Sequence, residues 1–223
     1  MIKNRMFLSP DGFMFDAYHA RPKIAPKAGI VVAQENFGVN AHIREVCDGF
    51  AEDGYEVIAP ALYDRVEKNV ELGYEQADRE YGRKIRSKLG WDSPVKDINT
   101  CIEILRQGVS KVGIVGYCWG GTMAWIAASR LTVDCAVGYY GSQMFQFLGE
   151  APNCSVMTHF GEDDASVDLE NINQINHFYP EVVVHTYPQA DHGFNCNHRK
   201  SYDEKNAAIA RQRTMDFFKT ELG

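Results

Sequence analysis

Apolar residues occur along the chain in two alternating patterns. The first is a short, continuous apolar run rich in β-branched side chains, best seen at residues 28–34. Such a run is typical of a strand buried on both faces. The second places apolar side chains at helical spacing, as Ile43, Val46 and Phe50 do within residues 41–53. Strands of the first kind alternating with helices of the second predict an α/β fold, with a mostly parallel sheet and helices on both faces.

The same patterns place the other elements within one predicted domain, residues 1–223. A hairpin at residues 6–18, broken by a turn at 10–12, would add antiparallel strands at one edge of the sheet. Residues 60–91 are charged and irregular, and we interpret them as an insertion or cap. Further strands are predicted at 55–59, 111–115, 134–140, 155–160 and 181–187, and further helices at 119–130 and 167–177.

Two helices have start signals in the sequence. Ser93 is a candidate cap with Pro94 in the first turn, and an apolar stripe follows down that helix. Ser201, with Glu204 three residues later, is a capping box and predicts a last helix that runs to about residue 219.

Composition and charge exclude several partners. Of the 223 residues, 45% are hydrophobic and 24% are charged, as in ordinary folded domains. The formal net charge of −7 argues against a nucleic-acid surface, which needs clustered Lys and Arg. No apolar run reaches the ~20 residues of a membrane span, and residues 1–10 lack the features of a signal peptide. We therefore expect a cytoplasmic monomer or small homo-oligomer without nucleic-acid or membrane partners.

One of the six cysteines has unusual neighbours. Most of the cysteines are expected to be reduced core thiols, but Cys118 lies in Gly116-x-Cys118-x-Gly120-Gly121 between a predicted strand and helix. In this context G-x-S-x-G forms the strained nucleophile elbow of hydrolases, and here sulfur replaces oxygen. The glycines avoid a collision between strand and helix, and the helix N-terminus favours a thiolate. The alternative is a buried cysteine at a tight turn whose glycines serve packing alone.

A thiol that attacks a carbonyl needs a base, and the base needs an orienting carboxylate. His192 is the best placed of the seven histidines, in a loop that follows the strand at 181–187. Asp164 follows the strand at 155–160 and gives the order nucleophile, acid, base. Glu162 and Asp163 compete with it for the acid role, and the pattern alone does not separate the three.

Acyl chemistry also needs donors for a developing oxyanion. In this topology one amide belongs to Trp119, after the nucleophile, and the other to the loop after an early strand, at Phe37. Glu35 in that loop is unexpected, because a carboxylate beside a thiolate repels it. It either takes part in controlling the charge of the thiol or pairs elsewhere with an arginine.

Five motifs follow one another along the chain: 34–40 (QENFGVN), 116–121 (GYCWGG), 138–141 (GYYG), 159–161 (HFG) with Asp164, and 190–194 (ADHGF). Together they resemble the dienelactone hydrolase family, and the resemblance extends in order from Ala28 to Phe218. It implies an α/β-hydrolase domain with a Cys118, Asp164 and His192 triad, which decides the acid in favour of Asp164. It also implies that Glu35 holds the resting thiol until substrate displaces the contact.

Departures from the family pattern concern the substrate. Members from the chlorocatechol pathway hold a dienelactone carboxylate with two arginines. Arg79 matches the first, but the second falls on Cys196, for which His198 or Arg199 could substitute.

The family's insertion contains a tyrosine at the position where this chain has Arg83, and Tyr81, two residues earlier, is the candidate that could substitute for it. We therefore expect Arg79 and Tyr81 to bind substrate. Residues 78–88 carry five basic side chains. An anionic substrate explains them, and a solvated helix face is the alternative.

The leading hypothesis is a cofactor-free hydrolase of small ester or lactone substrates that forms an acyl-enzyme at Cys118. The rate is then expected to fall as His192 protonates, between pH 5 and 8. Thioester hydrolysis or acyl transfer by the same triad, and a non-catalytic thiol sensor, are the alternatives. No metal is predicted, because His192, Cys196 and His198 lie on one loop without a second ligand cluster.

Overall fold

An eight-stranded sheet forms the centre of the protein. The computed structural model describes residues 3–223, with side-chain environments from residue 5 onward. Met1 and Ile2, where the predicted domain begins, lie outside the described residues. The strand order is β1-β2-β4-β3-β5-β6-β7-β8, in which β1 with β2 and β2 with β4 are antiparallel and the other neighbours are parallel. The strands are β1 (Lys3–Leu8), β2 (Met14–Ala20), β3 (Gly29–Ala33), β4 (Glu56–Pro60), β5 (Val112–Tyr117), β6 (Cys135–Tyr139), β7 (Ser155–Gly161) and β8 (Val183–Tyr187).

Helices cover both faces of the sheet, and side chains of the central strands alternate between two cores. Val31 and Ala33 of β3 face a core with α3 and α4, whereas Ile30 and Val32 face a core with α1 and α6. The predicted mostly parallel sheet with two helical layers is therefore confirmed, as is the antiparallel hairpin at its edge. The helices are α1 (Ala41–Glu52), α2 (Gln76–Leu89), α3 (Asp92–Arg106), α4 (Trp119–Arg130), α5 (Leu169–Phe178) and α6 (Glu204–Leu222).

The structure corrects the predicted starts of the last helix and of α3. Asp203, not Ser201, caps α6 by accepting from the Asn206 amide at 3.0 Å. The Ser201 hydroxyl instead donates to the His192 carbonyl at 2.8 Å and so fixes the loop before the helix. Helix α3 already begins at Asp92, because the Ser93 hydroxyl donates back to the Leu89 carbonyl instead of capping.

The segment at 60–91 is ordered secondary structure. It contains a short 3₁₀ turn, Leu62–Arg65, and the amphipathic helix α2, which Glu75 and Asp78 open with a reciprocal capping box. Helix α2 packs so closely on the loop after β3 that a Cβ at Gly82 would lie 1.9 Å from the Asn36 carbonyl oxygen. The absence of a side chain at Gly82 therefore allows α2 to lie close over the carboxyl ends of the strands. Within residues 3–223, no helix combines the length and the apolar character needed to cross a bilayer.

A Gly82→Ala variant tests this close approach. Alanine normally stabilises a helix interior by about 1 kcal/mol, but here the collision with Asn36 should reverse the sign and cost about 1–3 kcal/mol. We expect thermal unfolding to show a Tm lower by roughly 2–10 °C. Gly49→Ala in α1 is the matched control, because its nearest outside neighbour is 3.9 Å away and the variant should be neutral or stabilised. Equal Tm changes in the two variants would contradict the packing argument.

Candidate active site

Cys118 occupies a sharp turn between β5 and α4. Its backbone lies at φ 55° and ψ −117°, in the region that side chains other than glycine rarely adopt. Its amide donates to the Tyr139 carbonyl of the neighbouring strand at 2.9 Å, which fixes the turn against β6. The turn is the strained conformation expected of a nucleophile elbow.

The flanking glycines make this turn possible. A Cβ at Gly116 would lie 1.8 Å from the Gly120 carbonyl oxygen, and a Cβ at Gly120 would lie 2.2 Å from the Ala33 carbonyl oxygen. Both distances are far below contact distance. The two glycines therefore allow β5, α4 and β3 to approach one another, and this approach lifts the Cys118 side chain toward the ends of the neighbouring strands.

The structure brings Cys118, His192 and Asp164 into one line. His192 Nε2 lies 3.1 Å from Cys118 Sγ, and His192 Nδ1 lies 2.7 Å from Asp164 Oδ2. The other two acids that the sequence left open point elsewhere: Glu162 accepts from the Thr186 hydroxyl at 2.9 Å, and Asp163 is exposed. Asp164 thus has the geometry of an orienting acid.

Ser166 also belongs to this line, although the sequence analysis did not identify it. Both its amide, at 2.9 Å, and its hydroxyl, at 2.5 Å, donate to Asp164 Oδ1, and the hydroxyl lies 3.2 Å from His192 Nδ1. A serine two residues after an aspartate is an available signal, because Asp side chains commonly accept from the backbone two residues on. Ser166 leaves Asp164 Oδ2 free to face the imidazole.

Electrostatics favours the charged forms of Asp164 and His192. Burial alone would raise the pKa of the Asp164 carboxyl, but hydrogen bonds from His192 and Ser166 outweigh it and lower that pKa. Burial likewise opposes protonation of His192, but the neighbouring Cys118 and the hydrogen bond with Asp164 raise the pKa of His192 to about 10. The geometry therefore favours an imidazolium beside the sulfur at neutral pH, which differs from the neutral imidazole assumed in the sequence analysis.

Two amides are available near the sulfur. Trp119 is the first residue of α4, and Phe37 follows the end of β3. Among the described residues, the backbone hydrogen bonds of these two turns use neither amide as a donor. Asn36, which the sequence analysis passed over, directs its side-chain nitrogen to Cys118 Sγ at 3.8 Å, and its oxygen accepts from the Tyr63 hydroxyl at 3.4 Å.

Glu35 does not contact Cys118. Its fully buried carboxylate accepts from Arg199 Nη1 and from the Tyr74 hydroxyl, each at 3.2 Å. The implied contact with the resting thiol is therefore absent from this structure, and the alternative of an arginine partner is the observed one. The guanidinium of Arg199 compensates the buried charge, which would otherwise be strongly unfavourable.

A cleft of about 630 Å³ opens above the line, and its wall is basic. Within residues 5–223, only one of its five Arg and Lys side chains lies within ion-pair range of a carboxylate: Arg199, which pairs with Glu35. The five are Arg79, Arg83, Arg86, Arg199 and Lys200.

The structure separates the predicted substrate-binding residues. Arg79 lines the cleft, and its Nε donates to the Tyr74 carbonyl at 3.0 Å. Tyr81 does not line the cleft, because its exposed ring turns outward and its hydroxyl donates to Glu67 at 2.6 Å. Arg83 is the residue of this helix face that reaches the cleft instead.

The two candidates for the family's second cation also differ in position. His198 lies outside the cleft and pairs with Glu45 at 2.9 Å. Arg199 lines the cleft while it holds Glu35. Cys196, at the family's arginine position, is fully buried.

The dienelactone hydrolase family matches residues 15–222 of this sequence. The chain belongs to this family. Similar enzymes include the carboxymethylenebutenolidase of Pseudomonas putida, 34% identical over 218 residues that cover 94% of this chain and 92% of that enzyme. Carboxymethylenebutenolidase 1 of Cupriavidus pinatubonensis is 29% identical over 217 residues, covering 93% and 92%. This dienelactone hydrolase family member is thus a hydrolase of the ester or lactone class.

The fold agrees with that membership. The crystal structure of a protein from Klebsiella pneumoniae, described as a putative dienelactone hydrolase, superimposes with a TM-score of 0.86 at 29% identity and covers 98% of both chains. The α/β-hydrolase fold expected from the sequence is confirmed by this similarity and by the sheet order.

Proposed function

We propose that the protein hydrolyses carboxylic esters or lactones through a covalent thioester at Cys118. The observation that carries the proposal is the hydrogen-bonded line from Cys118 through His192 to Asp164. An imidazolium beside the sulfur favours the thiolate, which is the nucleophilic form of cysteine.

The catalytic steps follow from the geometry. The thiolate attacks the carbonyl carbon, and the Phe37 and Trp119 amides stabilise the oxyanion that forms. The tetrahedral intermediate collapses as the imidazolium of His192 protonates the departing alkoxide. Neutral His192 then takes a proton from water, whose oxygen attacks the thioester, and the thiolate leaves with the carboxylic acid as product. Asp164, held by Ser166, keeps the ring in position through both steps.

The cleft further supports an anionic substrate of small size. Arg79, Arg83 and Arg86 project from one helix into the cleft and have no carboxylate partner among residues 5–223, in a protein of net charge −7. Arg86 donates to the Gln143 side chain, which turns its guanidinium toward the same space. Unpaired cations in a cleft attract and orient anions. The two relatives described above bear the name of a lactone substituted by a carboxymethylene group, and such a substrate fits this charge.

Removal of the sulfur tests the nucleophile. We expect Cys118→Ala to lower kcat/KM for aryl and alkyl esters by about 10³-fold or more, because the covalent route is lost. Cys154→Ala is the matched control, since Cys154 is another free, partly exposed thiol outside the cleft, and the variant should retain activity. Steady-state assays with cyclic enol lactones extend the comparison. Turnover by Cys118→Ala equal to that of the Cys154→Ala control would reject the mechanism.

The pH profile tests the imidazolium. The protonated form of His192 persists below its raised pKa and is lost as the pH rises through it. We therefore expect kcat/KM for an alkyl ester, whose leaving group needs a proton, to stay level near neutrality and to fall as the pH passes about 10. Asp164→Asn removes one cause of the raised pKa and should move this fall to lower pH. A profile in which Asp164→Asn leaves the alkaline fall in place would contradict the assignment.

Charge on α2 is expected to set substrate preference. Arg83→Gln should raise KM for an ester that carries a carboxylate by roughly 3–10-fold, since a partly exposed ion pair contributes about 1 kcal/mol. Hydrolysis of a neutral ester of the same size should be unchanged. Lys84→Gln removes an equal charge from the next residue, which does not line the cleft, and should alter neither. Parallel losses on both esters would show that Arg83 serves the fold and not the substrate.

A further inference from the structure

A second cluster of reactive side chains lies beside the catalytic line but takes no part in it. Glu35, His42 and Cys196 come from the loop after β3, from α1 and from the loop after β8. All three are buried, with exposed fractions of 0%, 3% and 0%. One carboxylate oxygen, one imidazole nitrogen and the thiol sulfur lie within 4.8 Å of one another.

His42 is the unexplained member of this cluster. Across residues 5–223, neither of its ring nitrogens has a hydrogen-bond partner within 3.5 Å, although the ring is almost fully buried and the Asn197 side chain lies nearby. Buried polar groups nearly always have a partner, so this imidazole has room for a ligand. In a neutral imidazole one ring nitrogen carries a free lone pair.

The donor set has the chemistry of a metal site. Carboxylate oxygen, neutral imidazole nitrogen and thiolate sulfur are the three ligand types that Zn²⁺ uses. Tetrahedral zinc with bonds of about 2.0–2.3 Å places its ligand atoms about 3.3–3.8 Å apart, so any pair at the 4.8 Å limit has to close by about 1 Å. The ligand carboxylate and thiolate carry two negative charges, whereas the ion and Arg199 together carry three positive charges.

A cavity of about 410 Å³ opens beside His42, with Glu45 and Asn197 on its wall. Glu45 carries its carboxylate at this opening, where it pairs with His198 at 2.9 Å. The cavity is lined by His42 but not by Glu35 or Cys196, so His42 is the ligand nearest to the surface. The cluster offers three ligands, and a four-coordinate ion takes its fourth from solvent.

Arg199 is the opposing charge. Its guanidinium lies 3.2 Å from Glu35 Oε1 and repels a cation at the cluster. A carboxylate has about four lone-pair sites, so Glu35 can hold Arg199 and a metal together. This repulsion weakens binding compared with a site that has no neighbouring cation.

We propose that Glu35, His42 and Cys196 bind a divalent cation of the zinc class. Binding releases the thiol proton of Cys196 to solvent and forms bonds to its sulfur, to the His42 nitrogen and to a Glu35 oxygen. The bound ion ties the loop that carries Phe37 to α1 and to the loop that follows His192. The proposal does not depend on the catalytic mechanism, because no member of the triad is a ligand.

Cobalt absorption tests the site in the full-length Cys118→Ser variant, which cannot chelate through the catalytic sulfur. Titration with Co²⁺ should give one equivalent of thiolate-to-cobalt charge transfer together with the visible bands of a four-coordinate ion. Adding Cys196→Ser or His42→Phe should abolish both signals and weaken Zn²⁺ binding by more than the roughly 10–100-fold that an outer-shell partner contributes. Adding Cys154→Ser should leave them unchanged. Zn²⁺ should also raise the Tm, but only of those variants that show the cobalt signals.

Two results would overturn the proposal. The first is charge transfer that survives both Cys196→Ser and His42→Phe. The second is the absence of Co²⁺ binding to Cys118→Ser at about 1 mM Co²⁺, whether or not the unsubstituted protein binds through Cys118 and His192. If one double variant does not fold in the metal-free state, the other decides the outcome.

Discussion

The close approach of β5 and α4 at Cys118 is the constraint on which the rest of the site depends. A turn with positive φ at a residue that has a side chain is unfavourable by about 1–3 kcal/mol, and it persists because the surrounding sheet fixes it. Gly116 and Gly120 lie within van der Waals contact of backbone oxygens, so no other residue fits there without displacing a strand. The sulfur consequently stands above the sheet, where the loops after β7 and β8 meet. Those loops are themselves joined by a hydrogen bond from the Asp163 amide to the Ala190 carbonyl at 3.0 Å.

Charge is arranged around that sulfur in layers. A carboxylate lies farthest from the sulfur along the catalytic line, an imidazole stands between them, and arginines surround the cleft mouth. The overall negative charge of the protein conceals this local excess of cations, since four of the five Arg and Lys side chains at the cleft have no carboxylate within ion-pair range in the part of the chain described. Glu35 differs from these cations in that its carboxylate is buried and is paired with Arg199. Net charge therefore describes the outer surface, and the cleft has to be judged from its own residues.

Much of the fold follows from sequence because its strands are apolar on both faces and its helices on one. The positions after strands also pointed to Cys118 and His192, whereas the choice of Asp164 over Glu162 and Asp163 needed the family resemblance. Other features depend on three-dimensional contacts. Arg199 reaches Glu35 from 164 residues away, and no local pattern distinguishes it from His198, which turns to Glu45. Tyr81 and Arg83 lie two residues apart on α2, which is a rotation of about 200° around the helix axis. Arg83 therefore points toward the cleft and Tyr81 points away from it. Because the sequence left the structure of this segment undefined, that rotation was unknown.

Helix α2 is joined to the rest of the site at few points, among them the contact of Gly82 with Asn36 and the hydrogen bond from Tyr63 to the Gly82 carbonyl at 3.1 Å. The groups that break bonds in the proposed mechanism all reside on other segments. Under that mechanism, recognition and reactivity are carried by separate stretches of the chain. Substitutions in α2 can then change which molecules are accepted and leave the cleaving groups as they are.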